Sequence, residues 1–305
     1  MSSTASCALP IGYKLGEYEI ETVLGQGGFG ITYRARDVHL GSRVAIKEYF
    51  PQAFAARDHD GNTIYANTGH TASDAENYRW GLSAFLEEAQ ALAKFKHPHI
   101  VRVLRFMEAN GTAYLVMEYE QGEPLSAYLR AHGGFLDEPM LLGVFLPILT
   151  GLQAVHDAGL LHLDIKPDNI YLRTNGQPML IDFGSARQIR RGSGASQRVA
   201  LSRGYAAIEQ YPDKGERGPW TDVYGVGTSI YRCVTGKEPV DSLEREMTFA
   251  KKRVDPLVPA TLLERPLYAK HIRETVDAAT QLDAGARPQT AEILRCFCAS
   301  AALSG

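Results

Sequence analysis

The first part of the chain alternates apolar and polar residues with the period of two that is typical of β-strands. Three such segments follow one another between residues 18 and 50, separated by turns rich in glycine and serine: YEIETVLG, GITYRARD and RVAIKEYF. Because these connections are short, the pattern predicts an antiparallel sheet. Two further apolar runs, IVRVLRFM and AYLVMEY, flank Asn110-Gly111, a dipeptide that favours a hairpin turn between them.

The pattern changes over residues 51–76, which are polar and rich in turn-forming residues. We expect an inserted surface loop of more than 20 residues there, with a regulatory or partner-docking role as the alternative. Over residues 77–96 apolar positions return near helical spacing, which predicts a helix. These positions are Trp80, Phe85, Ala89, Leu92 and Phe95.

Beyond Gly122 helical periodicity dominates the chain. The helical patterns cover residues 124–131, 138–158, 220–236 and 270–282. Only brief strand-like pieces, such as NIYL and PMLID, lie among them. The chain is therefore expected to be an α+β protein. It should have a small antiparallel-β N-terminal lobe with one main helix and a larger, mainly α-helical C-terminal lobe, with a boundary near residues 119–122.

Composition adds few constraints to this picture. The chain has 305 residues, 45% of them hydrophobic and 22% charged, and a formal net charge of −3, which gives no reason to expect a nucleic-acid partner. It shows no secretory signal and no apolar stretch long enough to suggest a membrane segment. Four cysteines are too few and too unevenly spaced for a disulfide framework, so reduced thiols in a cytoplasmic protein are the favoured interpretation.

The motif GQGGFG at residues 25–30 is the first candidate for chemistry. Glycines let backbone N–H groups approach phosphate oxygens closely. A dinucleotide-binding loop should open a helix, whereas this motif runs into a second strand, ITYRA. The order of strand, loop and strand favours a flap over nucleotide phosphates, with a purely structural hairpin as the alternative.

Lys47 ends the apolar strand segment VAIK, where a buried charge is costly unless it is paired. The predicted helix offers Glu88 on the face that it shares with Leu92. A Lys47–Glu88 pair would hold the lysine toward the α- and β-phosphates of a nucleotide. Glu87 would point about 100° away from Glu88 and is expected to stay solvated. The alternative is a lysine that extends its ammonium group to water.

The densest group of polar residues lies in the segment HLDIKPDNI. It places a carboxylate at Asp164, a lysine two residues later at Lys166 and an amide five residues later at Asn169. These spacings suit a base for a hydroxyl, a cation for a transferring phosphoryl group and a neutral metal ligand. A DFG triplet follows after a strand, and its carboxylate, Asp182, can bridge Mg²⁺ to phosphates.

Together these motifs resemble the signature set of the protein kinase superfamily, in the family's order, from about Tyr18 to about Phe297. Through Lys166, DIKPDN resembles serine/threonine rather than tyrosine kinases, and the wider sequence resembles the bacterial eukaryotic-like serine/threonine kinases. The resemblance implies a bilobal kinase fold that uses ATP with Mg²⁺, or also Mn²⁺, to phosphorylate Ser/Thr hydroxyls of proteins, including itself. It divides the chain into a leader (1–17), a kinase domain (18–298, with lobes 18–119 and 120–298) and a tail (299–305).

The resemblance also assigns roles to individual residues. The expected ATP contacts are Leu24, Gly25, Gln26, Gly27, Gly28, Phe29, Gly30, Ile31, Thr32, Ala45, Lys47, Met117, Glu118, Glu120 and Tyr171. The catalytic set is Asp164, Lys166, Asn169, Lys47 and Glu88, and the metal ligands are Asn169 and Asp182. Supporting roles fall to an apolar stack (Leu92, Val103, His162 and Phe183), to Ser202 beside the base, to a Glu209–Arg287 ion pair and to Asp222 as a brace.

Several positions depart from the family pattern. Leu163 replaces an arginine that often receives a phosphate from the activation segment, so control by that route is not expected. Ile208 replaces the proline of Ala-Pro-Glu, and Thr32 replaces a valine above the adenine. The basic segment from Ser185 to Arg203 carries serines. Autophosphorylation there and incidental solvated serines are equal alternatives.

Two other functions compete with this interpretation. A pseudokinase would bind nucleotide or act as a scaffold without turnover, yet no member of the catalytic set is missing. A small-molecule kinase of related fold shares a His-x-Asp loop but generally lacks DxKPxN, Asp-Phe-Gly and an anchor like Ala207-Ile208-Glu209, which resembles Ala-Pro-Glu. The presence of all three motifs favours a protein kinase.

Overall fold

The computed structural model describes six stretches of the chain: residues 7–28, 30–66, 72–183, 187–188, 201–263 and 268–299. The chain divides into two compact units. The first comprises Met1–Lys96 and Val101–Glu120, and the second comprises His97–Ile100 and Gln121–Gly305. The short segment at residues 97–100 belongs to the second unit because the Leu180 N–H donates to the His99 carbonyl oxygen at 2.9 Å.

Within its described residues, the first unit has eight strands. They are β1 (Lys14–Leu15), β2 (Tyr18–Gly27), β3 (Gly30–Asp37), β4 (Arg43–Tyr49), β5 (Ala55–Arg57), β6 (Ile64–Ala66), β7 (Val103–Ala109) and β8 (Thr112–Glu118). Six form an antiparallel sheet in the order β1-β2-β3-β4-β8-β7. Asn110 and Gly111 connect β7 to β8 with φ of 53° and 72°, which is the left-handed pair of a tight hairpin turn. The predicted sheet and hairpin are confirmed.

The main helix of the first unit, α1 (Ala72–Leu92), packs against β7 and β8. Phe85 and Leu92 are buried, as the periodicity predicts, but Trp80 is 44% exposed. The helix starts earlier than predicted because its first turns are polar, with Asp74 placed where a carboxylate interacts favourably with the helix dipole. A periodicity of apolar residues cannot reveal such a beginning.

The expectation of one inserted loop over residues 51–76 is wrong. Strands β5 and β6 pair antiparallel within this segment, and the first turns of α1 occupy its end. Ala55 and Ile64 anchor the two strands, at 5% and 2% exposure. Two buried apolar side chains in strands of three residues leave too weak a pattern to see among so many polar residues.

The second unit is mainly helical, as predicted. Its helices within the described residues are α2 (Leu125–Ala131), α3 (Glu138–Asp157), α4 (Pro219–Thr235), α5 (Ser242–Lys252), α6 (Lys270–Ala279) and α7 (Ala291–Ala299). Its strands are β9 (Gly122–Pro124), β10 (Leu160–Leu161), β11 (Ile170–Arg173), β12 (Pro178–Leu180) and β13 (Arg187–Gln188). They form two small sheets, β12-β11-β9 and β10-β13. The sequence does not predict α5, because its segment SLEREMTFAKK is polar over most of its length.

Helix α3 forms the core of the second unit. Among the described residues it is the one helix long and apolar enough to cross a membrane by length and composition. Half of its most apolar window is buried inside the protein, and it packs against α4 and α7. Its hydropathy is therefore accounted for by the core of this unit.

Candidate active site

The glycine motif forms the turn between β2 and β3, so it is a flap between two strands and not the start of a helix. Gly27 is paired with Gly30, and Gly25 with Thr32. A Cβ added at Gly25, Gly27 or Gly28 would meet no atom within 4 Å. Packing therefore does not require glycine at these three positions, and their backbone is open to close approach by a ligand.

One face of the first unit's sheet gathers several of the predicted nucleotide contacts. Lys47 is paired with Thr32 on one side and with Leu115 on the other, and Ala45 is paired with Met117. Directly opposed residues of an antiparallel pair project to the same face. Ile31 does not join them, because the next residue along a strand faces the other way, and its side chain is fully buried. The expectation that Ile31 contacts ATP is therefore wrong.

The remaining adenine-site candidates are spread over both units. Leu24 is 47% exposed on β2, and Met117 is buried near the end of β8. Glu118 ends β8 and accepts a hydrogen bond from Arg102 at 3.0 Å. Glu120 is the last residue of the first unit. Tyr171 lies in the second unit on β11, where its neighbours in register are Pro124 and Met179.

Lys47 and Glu88 are both buried in the first unit, at 8% and 7% exposure. Glu87 is exposed, in agreement with the helical geometry. Side chains of opposite charge that are buried to this extent need compensation. The direct pairing of Lys47 with Glu88 stays a prediction.

In the second unit, the catalytic loop (residues 162–170) places the Asp164 carboxylate among three donors, two from the loop itself and one from Ser202. Lys166 Nζ donates to Asp164 Oδ2 at 2.9 Å, and Asn169 Nδ2 donates to the same oxygen at 2.9 Å. The Ser202 hydroxyl donates to Asp164 Oδ1 at 2.6 Å and accepts from Lys166 Nζ at 2.6 Å. The carboxylate is thus fixed in orientation while its side chain remains 20% exposed, so an acceptor group can reach it.

The predicted metal ligands, Asn169 and Asp182, lie on adjoining segments of the second unit. The Ile181 N–H donates to the Asn169 carbonyl oxygen at 2.9 Å, and Asp182 follows directly. The Asn169 amide nitrogen is turned to Asp164, which leaves its side-chain oxygen as the metal-binding end. One exposed carboxylate and one amide oxygen fit Mg²⁺, which prefers few protein oxygens together with water and phosphate.

Asp222 on α4 braces the start of the catalytic loop through hydrogen bonds to its backbone. It is 1% exposed and accepts from the His162 N–H at 2.9 Å, from the Leu163 N–H at 2.7 Å and from His156 Nε2 at 2.8 Å. Burial alone would raise the pKa of Asp222, but the bonds and charge from its histidine neighbours outweigh burial and lower it. Burial lowers the pKa of His162. The centroid of the His162 ring lies 4.3 Å from the centroid of the Phe183 ring.

Gln210 is a site residue that the sequence analysis missed. Leu163 adopts a left-handed conformation with φ of 62°, which is costly for a branched side chain. Its carbonyl oxygen accepts from Gln210 Nε2 at 2.8 Å, and the Ala207 N–H donates to Gln210 Oε1 at 3.0 Å. The buried Gln210 amide thus holds the residue directly before Asp164. No sequence signal points to it, because its partner lies 47 residues away.

Replacing Gln210 by glutamate should lower kcat by about tenfold, because the buried Leu163 carbonyl loses its donor and faces an oxygen instead. KM for ATP should stay near the wild-type value. Adding Leu163→Gly should recover part of kcat, because glycine adopts positive φ without strain. Steady-state kinetics of the three proteins test this coupling. Equal kcat for wild type and Gln210→Glu would show that Leu163 is held without this bond.

Glu209 and Arg287 form the expected ion pair in the second unit. Arg287 Nη1 donates to Glu209 Oε1 at 2.6 Å, and Nη2 donates to Oε2 at 3.1 Å. Both side chains are buried: that of Arg287 is 0% exposed and that of Glu209 is 3% exposed. The Thr221 hydroxyl, on α4, donates to the same carboxylate at 2.9 Å. The pair holds the segment around Ile208 although the proline of the family pattern is absent.

Some predicted residues lie outside the described residues. They are Phe29, Gly184 and, in the activation segment, Ser185, Arg190, Arg191, Ser193, Ser196 and Arg198. Arg203 is described and is exposed. The predictions that concern this serine-bearing segment therefore stay predictions.

Comparison with known proteins gives a consistent result. The family described as "Protein kinase domain" matches residues 18–295. The chain is 31% identical over 245 residues to the probable serine/threonine-protein kinase pknA2 of Bifidobacterium longum, a match that covers 80% of this chain and 30% of that protein. It is 30% identical over 295 residues to the serine/threonine-protein kinase pkn2 of Myxococcus xanthus, covering 92% of this chain and 32% of that protein.

The chain thus spans about a third of the length of these two relatives. A solved structure, "PpkA-294 apo form", superposes with a TM-score of 0.81 at 33% sequence identity, covering 96% of this chain and 100% of that one. The fold expected from the sequence motifs is confirmed by this likeness. Because the family match extends over most of the residues, this chain belongs to the protein kinase family.

Proposed function

We propose that this chain is a serine/threonine protein kinase, which transfers the γ-phosphoryl group of ATP to Ser or Thr hydroxyls of proteins. The observation that carries the proposal is the arrangement around Asp164. Its carboxylate accepts a hydrogen bond from the Ser202 hydroxyl at 2.6 Å, which is the contact that a general base makes with an acceptor hydroxyl. Lys166 lies beside both groups, where a cation can stabilise a transferring phosphoryl group.

The other predicted residues have consistent roles. The open backbone of residues 25–28 would cover the phosphates, and Lys47 would orient them. Asn169 and Asp182 would hold Mg²⁺, or Mn²⁺, which neutralises phosphate charge when bound. Asp164 would take the proton of the acceptor hydroxyl. The Asp222 and Gln210 side chains bond the two residues directly before that base, which supports a base that would not need a phosphorylated loop to hold it.

A cytoplasmic location is also part of this proposal. No disulfide joins the four cysteines, all of which lie in the described part of the chain. Burial raises the pKa of Cys298 to about 12 and also raises the pKa of Cys233. Both therefore fit inert, reduced thiols.

A phosphotransfer assay with γ-labelled ATP and Mg²⁺ tests the function. Label is expected on the chain itself or on a generic basic protein. Binding of ATP without transfer, over a range of metal ions and pH, would instead support a pseudokinase. Label found only on small molecules, such as aminoglycosides, would support a small-molecule phosphotransferase. Either result would overturn the proposal.

A further inference from the structure

A buried carboxylate lies directly beside Lys47, and the catalytic scheme does not use it. Glu48 follows Lys47 on β4 and projects from the opposite face of the sheet. It is 0% exposed. Two fully buried tyrosines donate to it, Tyr33 at 2.7 Å and Tyr114 at 2.9 Å. Two neutral hydroxyls orient this carboxylate, but they do not neutralise it.

The neutralising charge comes from the segment that the sequence suggested was a loop. Arg57, at the end of β5, donates from Nη2 to Glu48 Oε2 at 2.6 Å, and its side chain is 6% exposed. Burial alone would lower the pKa of Arg57, but the hydrogen bond and charge of Glu48 outweigh burial and raise it. The ion pair therefore joins the β5–β6 hairpin to the central strand of the sheet.

The rest of the Arg57 guanidinium ties down two neighbouring segments. Its Nε donates to the Cys7 carbonyl oxygen at 2.7 Å, and its Nη1 donates to the Asn62 carbonyl oxygen at 2.9 Å. Its centre lies 5.2 Å from the ring centroid of Phe50. Every arm of the side chain is thus engaged, which is the geometry of a fixed residue and not of a mobile surface arginine.

The strand residues around Glu48 connect three parts of the predicted ATP site. Lys47 precedes it. A Cβ at Gly30, the last glycine of the motif, would overlap the Glu48 carbonyl oxygen, so the end of the flap rests on this residue. Tyr49 follows, and a Cβ at Gly81 of α1 would overlap its hydroxyl, so the helix of Glu88 packs just as closely. A shift of Glu48 would move all three together.

We infer that Arg57 and Glu48 are positioning residues for ATP binding. The inference rests on the proposed function, because it requires an ATP site at Lys47 and the glycine motif. The β5–β6 hairpin supplies the charge that holds Glu48 in position. Through Glu48 it also holds Lys47, the flap and α1 in position. Segment 51–66 is then an integral part of the nucleotide site, although none of its residues is expected to touch ATP.

The test measures two quantities for each variant. The Kd for Mg²⁺-ATP is measured at a temperature well below every unfolding midpoint, and thermal stability is measured as the midpoint of unfolding. Arg57→Met leaves the buried Glu48 carboxylate without its counter-charge and should weaken Mg²⁺-ATP binding by about tenfold or more. The double variant Glu48→Gln/Arg57→Met removes both charges and should return the Kd to within about threefold of wild type. Arg57→Lys keeps the charge but cannot reach both carbonyls, so it should lower the midpoint and leave the Kd near wild type.

Arg36→Met is the matched control, since it breaks an exposed Arg36–Glu19 pair in the same sheet. It should change neither the Kd for Mg²⁺-ATP nor the unfolding midpoint. If Arg57→Met lowers the midpoint but leaves the Kd for Mg²⁺-ATP at the wild-type value, the pair is merely structural and the inference fails. It also fails if the double variant binds ATP as weakly as Arg57→Met. If wild type itself does not bind Mg²⁺-ATP, the proposed function fails first, so the two failures are distinguishable.

Discussion

Replacement of Asp164 by asparagine is expected to lower kcat for phosphoryl transfer on the order of 10³-fold. Asparagine preserves the shape of the side chain, and one oxygen can still accept from Lys166 or Ser202. It cannot take the proton of an acceptor hydroxyl at neutral pH. Asp164 is not an expected ATP contact, so the Kd for Mg²⁺-ATP should stay within about threefold of wild type.

The matched control for this variant is Asp157→Asn. Asp157 is an exposed aspartate at the end of α3, and its carboxylate accepts from Gln153 at 2.7 Å. Its replacement should leave kcat and Kd unchanged. Kinetics and equilibrium binding on the three proteins separate chemistry from nucleotide affinity. A kcat for Asp164→Asn near that of wild type would assign the base elsewhere.

Replacement of Arg287 by methionine is expected to lower the free energy of unfolding by about 3–5 kcal/mol. The buried guanidinium bonds both oxygens of Glu209 and also the carbonyl oxygens of Gln281 at 2.7 Å and Leu282 at 2.8 Å. Methionine fills similar volume but leaves the Glu209 carboxylate without its counter-charge. Removal of one partner of a buried pair costs far more than removal of an exposed one.

Urea unfolding of the second-unit variants measures this effect. Arg295→Met, which breaks an exposed pair with Glu292, is the control and should leave the transition midpoint unchanged. If Arg287→Met does not fold, Arg287→Lys and Glu209→Gln provide graded losses for the same comparison. Wild-type stability in Arg287→Met would contradict the anchoring role of this pair.

The parts of the fold that the sequence predicts are those with strong local patterns. Strand β3 alternates along its whole length, Asn110-Gly111 specifies its own turn, and α3 repeats apolar residues over its whole length. The family motifs also predict that Lys166 and Asn169 lie beside Asp164, because all three residues share one short loop. Burial of Glu88 and exposure of Glu87 followed from helical geometry alone.

The parts that the sequence does not predict depend on distant partners. Arg57 looks like one more charge in a polar segment until its contact with Glu48 is seen. Gln210 likewise has no local pattern, since its bond to Leu163 closes only in the folded chain. Its neighbours in the glycine motif favour Ile31 as an ATP contact, although the alternation of β3 turns its side chain away. In each case tertiary structure decides what a residue does.

The most direct test of the serine/threonine kinase assignment is to incubate the chain with Mg²⁺-ATP and to locate phosphate by mass spectrometry. We expect phosphate on serine or threonine side chains, of the chain itself or of an added basic protein. The Asp164→Asn protein should show none under the same conditions. Phosphate confined to tyrosine, or no phosphate on any protein in the presence of bound ATP, would contradict the assignment.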